Sequence, residues 1–329
     1  MYLDRRALLG GLAAAALAPA VAQAQDWTPP APDRELRVPV RGGRIYARVN
    51  GDLAGPHAPV VFVHGGPGSN HGGFLAELAL ADRRAVILYD QLDSGLSDRP
   101  NDPANWTVER FVSEVDALRA ALDLRRFHLV GHSWGSTLAL EYAARQPGGL
   151  LSVTLGSPLI STRSWEASTT AQLRRLPRET QRIINVHEAA GTTDDPAYAA
   201  AMSQFYARYA TRGPVPPYFA AYRKATGLRR NDAIYQGMWG SGEIRGTGTL
   251  RGYDGEPLLS RITAPTLFLC GEEDEMTADV LRPLVRRVRG ARLAVIPDAG
   301  HSLPATHAQA YMAALRPHFY AADPKPALG

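Results

Sequence analysis

Six short runs dominated by apolar residues recur along the chain: Val60–Val63, Ala85–Tyr89, Phe127–Val130, Leu151–Leu155, Thr266–Cys270 and Arg292–Ile296. Runs of this length without alternation are expected of strands buried on both faces, as in a parallel sheet. Ahead of them, Leu36 to Val49 alternates and is broken by Arg41–Gly42–Gly43–Arg44, which predicts an antiparallel hairpin. Helical spacing fills the intervals. Thr107 is placed to cap a helix to Leu122, with Val108, Phe111, Val112, Val115, Leu118 and Leu122 on one face. Further helices are expected after Gly135, over 279–289 and over 307–320. Strands alternating with helices predict an α/β fold, a mostly parallel, doubly wound sheet.

From about Leu159 to Gly248 the pattern changes. Helical segments rich in Ala, Arg and Tyr are broken by Pro177, Gly191, Pro196 and Pro214–Val215–Pro216–Pro217, with no buried-strand run. The expectation is a helical cap inserted between two parts of the sheet domain. Its aromatics Trp165, Phe205, Tyr206, Tyr218, Phe219, Tyr222 and Trp239 are candidates for a pocket lining, although aromatics more often bury in a core. The predicted organisation is a leader over 1–24, a Pro-rich linker over 25–35, sheet domain over 36–158, cap over 159–248, sheet domain again over 249–320, and a tail over 321–329.

Composition changes this picture little. The chain has 329 residues, 45% hydrophobic and 21% charged, with net charge +4 and arginines scattered rather than clustered, so no nucleic-acid stripe is indicated. The N-terminus departs from the rest. Arg5–Arg6 precedes an apolar stretch from Ala7 to Val21, and Ala22–Gln23–Ala24 has the small-x-small form of a cleavage site. This pattern predicts a twin-arginine-type export signal and a periplasmic mature chain starting near Gln25. The apolar core is too short and Ala-rich to favour a permanent span. Cys270 is the single cysteine, so no intrachain disulfide can form, and its apolar run places it as a packed thiol.

The chemistry gathers where strands end. Phe127–Val130 runs into Gly131–His132–Ser133–Trp134–Gly135, a Gly-x-Ser-x-Gly turn between strand and helix, which is the form of a nucleophile elbow. Val60–Val63 runs into His64–Gly65–Gly66–Pro67–Gly68, a loop placed to give one oxyanion-hole donor at Gly66, with Trp134 N–H as the other. The runs at 266–270 and 292–296 lead to Gly271–Glu272–Glu273–Asp274–Glu275 and Gly300–His301. The order Ser133, Asp274, His301 is that of an α/β-hydrolase triad. Serine needs a base to become nucleophilic, and the base needs an acid to fix its tautomer. Glu272, Glu273 and Glu275 compete with Asp274 by position, and His307 competes with His301. His64 and His132 read as structural. No metal-ligand spacing and no cofactor motif are present.

With these motifs in place the sequence resembles the proline iminopeptidase family of α/β-hydrolases. The resemblance spans about 35–320 and rests on His-Gly-Gly-Pro-Gly at 64–68, Asp90–Gln91 with Gly95 and Ser97, Gly-His-Ser-Trp-Gly at 131–135, Met238–Trp239–Gly240–Ser241–Gly242–Glu243, and the loops at 271–275 and 300–301. It implies cleavage of an N-terminal residue, proline or another apolar one, from a short peptide or amino-acid amide. It further implies that Glu243 and Glu275 hold the substrate's free amine. An esterase or lactonase would use the same triad on neutral substrates without those glutamates. A ligand-binding protein on this fold would need no triad. An epoxide hydrolase would need a carboxylate at position 133.

Overall fold

The computed structural model describes residues 27–325. The expected leader over 1–24 lies outside them. Eight strands form one sheet in the order β1-β2-β4-β3-β5-β6-β7-β8. β1 (Arg34–Val40) and β2 (Gly43–Asn50) are the antiparallel hairpin, and β2 also runs antiparallel to β4 (Val86–Asp90). β3 (Val60–Val63), β4, β5 (Phe127–His132), β6 (Leu150–Gly156), β7 (Thr266–Gly271) and β8 (Arg292–Ile296) are parallel.

Pleating sends alternate side chains of the central strands to opposite faces. Val61, Val63, Ile87, Tyr89, Phe268 and Cys270 join one core with α1 (Val108–Leu122), α2 (Trp134–Ala144) and α8 (Ala278–Val285). Val60, Phe62, Val86, Leu88, Leu267 and Leu269 join the other, beneath α10 (Ala308–Ala322). A tight helical segment at His71–Asp82 and the short α9 (Leu303–Thr306) complete that side. α1 begins where its sequence dictates. The Thr107 hydroxyl accepts from Arg110 N–H, and Phe111, Val115 and Leu118 are fully buried, each such side chain contributing roughly 1.5–3 kcal/mol of transfer free energy.

Between β6 and β7 the chain leaves the sheet and forms α3 (Thr162–Leu173), α4 (Arg178–Ala190), α5 (Pro196–Phe205), α6 (Tyr218–Thr226) and α7 (Asp232–Met238). A separate small core of Leu173, Ile184, Tyr198, Met202, Phe205 and Tyr209 holds α3, α4 and α5 together. Among the described residues no helix is long and apolar enough to cross a membrane.

Two expected boundaries move. The linker expected over 25–35 ends early, because β1 starts at Arg34. From Trp27 onward the segment is also held down: Trp27 meets Tyr218 edge-on at 4.5 Å, and Arg48 donates to the Pro30 carbonyl. The tail expected over 321–329 is helical to Ala322. Asp323 beyond it is anchored by Arg84 at 2.8 Å, His128 at 3.0 Å and His57 at 3.1 Å.

Candidate active site

The turn after β5 puts Ser133 at φ 56°, ψ −125°, a conformation rarely tolerated by a residue with a Cβ. The flanking glycines make the turn possible. A Cβ on Gly131 would lie 2.2 Å from the Gly135 carbonyl oxygen, and one on Gly135 would lie 2.0 Å from that of Val63. Ser133 N–H donates to Gly156 O at 2.8 Å, which locks the turn to β6. Trp134 is the first residue of α2, so its N–H belongs to the first-turn donors that have no partner within the helix.

The loop after β3 approaches the same point. A Cβ on Gly65 would lie 2.9 Å from Ser133 Cβ and 3.4 Å from its Oγ, so backbone alone fits there. Gly66, at φ +112°, and Gly65 both line the cavity beside Ser133. Gln91, after β4, ties this loop to the elbow. Its N–H donates to His64 Nε2 at 3.0 Å, its Nε2 to His64 O at 2.8 Å, and its Oε1 accepts from Trp134 Nε1 at 2.9 Å. His64 is thereby a buried structural group that burial pushes down to about 4. Neighbouring Asp90 is also fully buried and accepts from His71 Nδ1 and the His71 and Leu96 N–H groups.

Asp274 and His301 meet at 3.0 Å, Oδ1 to Nδ1. Asp274 is fully buried, and burial alone would raise its pKa. His301, the Ser157 hydroxyl at 2.6 Å and Gly271 N–H at 2.9 Å outweigh that and hold it below the usual carboxylate range. Of the rivals, Glu275 also approaches His301 Nδ1, at 3.6 Å, and the others face elsewhere. Glu272 accepts from Asp298 N–H, Glu273 pairs with Arg175, and His307 meets Thr306 Oγ1. The His301 loop is fastened to the inserted helices: His301 N–H donates to Tyr209 O and Ser302 N–H to Ala210 O, both at 2.7 Å. The acceptors end a widened π-type turn at Tyr206–Ala210, a distortion that often marks functional positions. His132 lies tilted beside His301, ring centres 5.0 Å apart, and burial keeps it neutral by pushing it down to about 3.

Ser133, His301, Glu243 and Glu275 all line one cavity of about 540 Å³ between the strand ends and the inserted helices. Glu243 is half-buried and accepts from Tyr235 Oη at 2.7 Å and Tyr206 Oη at 3.0 Å. Its backbone is held from below by Glu188 of α4, which accepts from the N–H groups of Glu243 and Ile244, both at 3.1 Å. Glu275 is buried. Its Oε2 lies 3.6 Å from His301 Nδ1, and its Oε1 has no protein partner. Burial, and secondarily the carboxylates of Glu243 and Asp274, raise the Glu275 pKa despite His301. His301 is also raised: burial opposes the shift, and Glu275 and Asp274 outweigh it.

The aromatic candidates divide. Trp165, Tyr206 and Trp239 line the cavity. Phe205 sits in the core of the inserted helices, and Tyr218, Phe219 and Tyr222 pack on the second sheet core, with Tyr222 Oη bonded to His71 Nε2. Phe74, Tyr235, Arg230 and Glu188 belong to the site or its support, and no local sequence motif marks them.

A family model described as the alpha/beta hydrolase fold matches residues 58–308. A proline iminopeptidase of Heyndrickxia coagulans is 41% identical over 242 residues, 74% of this chain and 83% of the relative. Among solved structures, proline iminopeptidase of Mycobacterium smegmatis shares 35% identity at a TM-score of 0.77, covering 88% of this chain and 100% of that one. VinJ shares 32% identity at a TM-score of 0.81, covering 89% and 100%.

Proposed function

The chain belongs to the proline iminopeptidase family of α/β-hydrolases, and from that premise we propose that it releases an N-terminal amino acid, proline foremost, from short peptides or amino-acid amides. The observation that carries this reading is the pair Glu243 and Glu275 in the same cavity as Ser133 and His301. A desolvated ammonium needs opposite charge close by, and charge-assisted hydrogen bonds are the strong ones. A prolyl ammonium has two N–H donors for two carboxylates, and Trp165, Trp239 and Phe74 offer an apolar wall to its ring.

Ser133 Oγ attacks the carbonyl carbon of the first residue, and His301 Nε2 takes its proton. Asp274, bonded to Nδ1, holds the ring orientation and stabilises the imidazolium. The developing oxyanion is met by Trp134 N–H and the backbone of the Gly65–Gly66 loop, donors fixed before reaction begins. His301 returns the proton to the leaving nitrogen, and the acyl group rests on Ser133. Water, deprotonated by His301, then attacks the ester; His301 returns that proton to Ser133 Oγ as the ester bond breaks, and the amino acid leaves. Because the amine is anchored one residue from the nucleophile, internal peptide bonds are excluded.

The N-terminal segment adds a location. Arg5–Arg6, the apolar stretch and Ala22–Gln23–Ala24 support export and action on peptides outside the cytoplasm.

The test is hydrolysis of proline, alanine and leucine arylamides, each with a free and an acetylated amine. Free proline arylamide is expected to turn over fastest, acetylated forms negligibly, and Ser133→Ala to lose about 10⁴–10⁶ of the rate. Equal turnover of acetylated substrates, or of simple esters alone, would overturn the reading in favour of an esterase.

A further inference from the structure

We propose that Glu275 is a switch between the substrate and the catalytic base: its carboxylate pairs with the His301 imidazolium in the free enzyme and with the substrate's ammonium once that is bound, so that only a cationic amine frees the base. The inference rests on the amine-binding reading above and adds to it a consequence for the chemical step.

Two carboxylates face one ring nitrogen, and they are unlike. Asp274 is committed. Its Oδ2 accepts from the Ser157 hydroxyl and Gly271 N–H, and its Oδ1 accepts from Met276 N–H at 3.1 Å as well as facing His301 Nδ1. Glu275 is not. Oε2 stands 3.6 Å from the same Nδ1, while Oε1 is buried without a protein partner in a residue that lines the cavity. The remaining groups around His301 weigh on its charge less than this pair does. Glu243 faces across the cavity with its Oε2 tied to the Tyr206 and Tyr235 hydroxyls, which burial keeps protonated. His132, 5.0 Å away ring to ring, is neutral. Trp165 presents an uncharged ring at 5.3 Å. Arg230 lines the same cavity.

An imidazolium held by two buried carboxylates is a poor base: Glu275 and Asp274 raise His301 against its burial, while His301 pulls Glu275 down against the burial that raises it overall. When an ammonium enters between Glu243 and Glu275, a second positive charge arrives beside His301. The ring then gives its Nε2 proton to solvent, Nδ1–H stays hydrogen-bonded to Asp274, and the freed Nε2 lone pair becomes available as the base for Ser133 in the same cavity. One cation enters and one proton leaves, so the charge of the site is conserved. A neutral ester or an acetylated peptide brings no charge and leaves the base blocked. Selection for a free amine is thus exercised in kcat as well as in binding, which uniform binding could not do.

The experiment follows the His301 ring by proton–carbon NMR against pH in Ser133→Ala protein, alone, with saturating prolinamide, and with cyclopentanecarboxamide as the uncharged analogue. Prolinamide is expected to lower the His301 midpoint by about one pH unit or more, and the analogue to leave it in place. In Glu275→Gln the midpoint is expected to start lower and to respond little to prolinamide. In the active enzyme the acid limb of kcat should then lie below that of kcat/KM for proline arylamide, and Glu275→Gln should close the gap while quickening neutral esters near pH 7. A midpoint indifferent to prolinamide, in a protein that still prefers prolinamide to its analogue through Glu243 and Glu275, would overturn the switch and leave the amine-binding reading intact. No preference for prolinamide over the analogue would overturn both.

Discussion

At the residue scale, function depends on side chains that never meet the substrate. Gln91 joins His64, which precedes the glycine loop, to the Trp134 ring, so both walls of the oxyanion site share one amide. Glu188 does the same for the proposed amine site, since its Oε1 takes the N–H groups of Glu243 and Ile244. Glu188→Ala is expected to lower kcat/KM for free proline arylamide about tenfold, the cost of a lost charge-assisted contact, mostly through KM. Glu188→Gln, whose carbonyl can accept the same bonds, should restore most of it, and blocked substrates should respond to neither. Steady-state kinetics on the two variants decides this. An equal loss in both, extending to blocked substrates, would mean that Glu188 supports only the fold. Ser133, Asp274 and His301 were legible in the sequence because each follows a strand of unmistakable pattern. Gln91 follows Asp90 in a recognisable motif, but its role depends on β4 lying beside β3. Glu188 sits on an outer turn of α4, 55 residues from Glu243, and nothing local marks it.

At the scale of elements, legibility follows burial. Strands buried on both faces left continuous apolar runs, and the ends of β3, β7 and β8 fall within a residue or so of where those runs begin and stop. The Thr107 cap was equally plain, because a cap is a local device. The helical segment at His71–Asp82 was missed. Its sequence, His-Gly-Gly-Phe-Leu-Ala-Glu-Leu-Ala-Leu-Ala-Asp, is apolar nearly all round and carries two glycines in its first turn, so no 3.6-residue face stands out. Glu77 within it is fully buried and lacks a protein partner, and burial pushes its carboxyl well up, toward the neutral form. The inserted helices were recognised as such, yet their aromatics could not be sorted, because whether an aromatic faces the cavity or a core depends on how short helices cross. Tyr206 and Tyr209 illustrate this. They are three residues apart in one turn, and the first lines the cavity while the second is buried and bonds His301 N–H through its carbonyl.

For the molecule as a whole, the ends of the described chain are sewn to the sheet domain. Asp323, just past α10, takes Arg84, His128 and His57 from three separate segments, and Arg84 also lies over the Phe319 ring at 5.0 Å. Burial would raise the Asp323 pKa. His128 and Arg84 outweigh it and depress the carboxyl far below its ordinary value. A carboxyl depressed on folding contributes stability that is fully present above its unfolded pKa, about pH 4, and is lost as pH falls toward the folded value. Asp323→Asn is therefore expected to be less stable than the parent at pH 7, with the difference shrinking steadily below about pH 4. Urea unfolding at a series of pH values measures it, and a difference independent of pH would contradict the ion-pair origin.

The proposed function requires that two carboxylates beside a serine nucleophile make this molecule demand a free amine. The most direct measurement is the ratio of kcat/KM for free to acetylated proline arylamide, in the parent and in Glu243→Gln/Glu275→Gln. The ratio is expected to be on the order of 10³ in the parent, the combined weight of two charge-assisted contacts, and to collapse toward unity in the double variant while Ser133 still accepts acyl groups. A ratio near unity in the parent, or one that survives loss of both carboxylates, would contradict it.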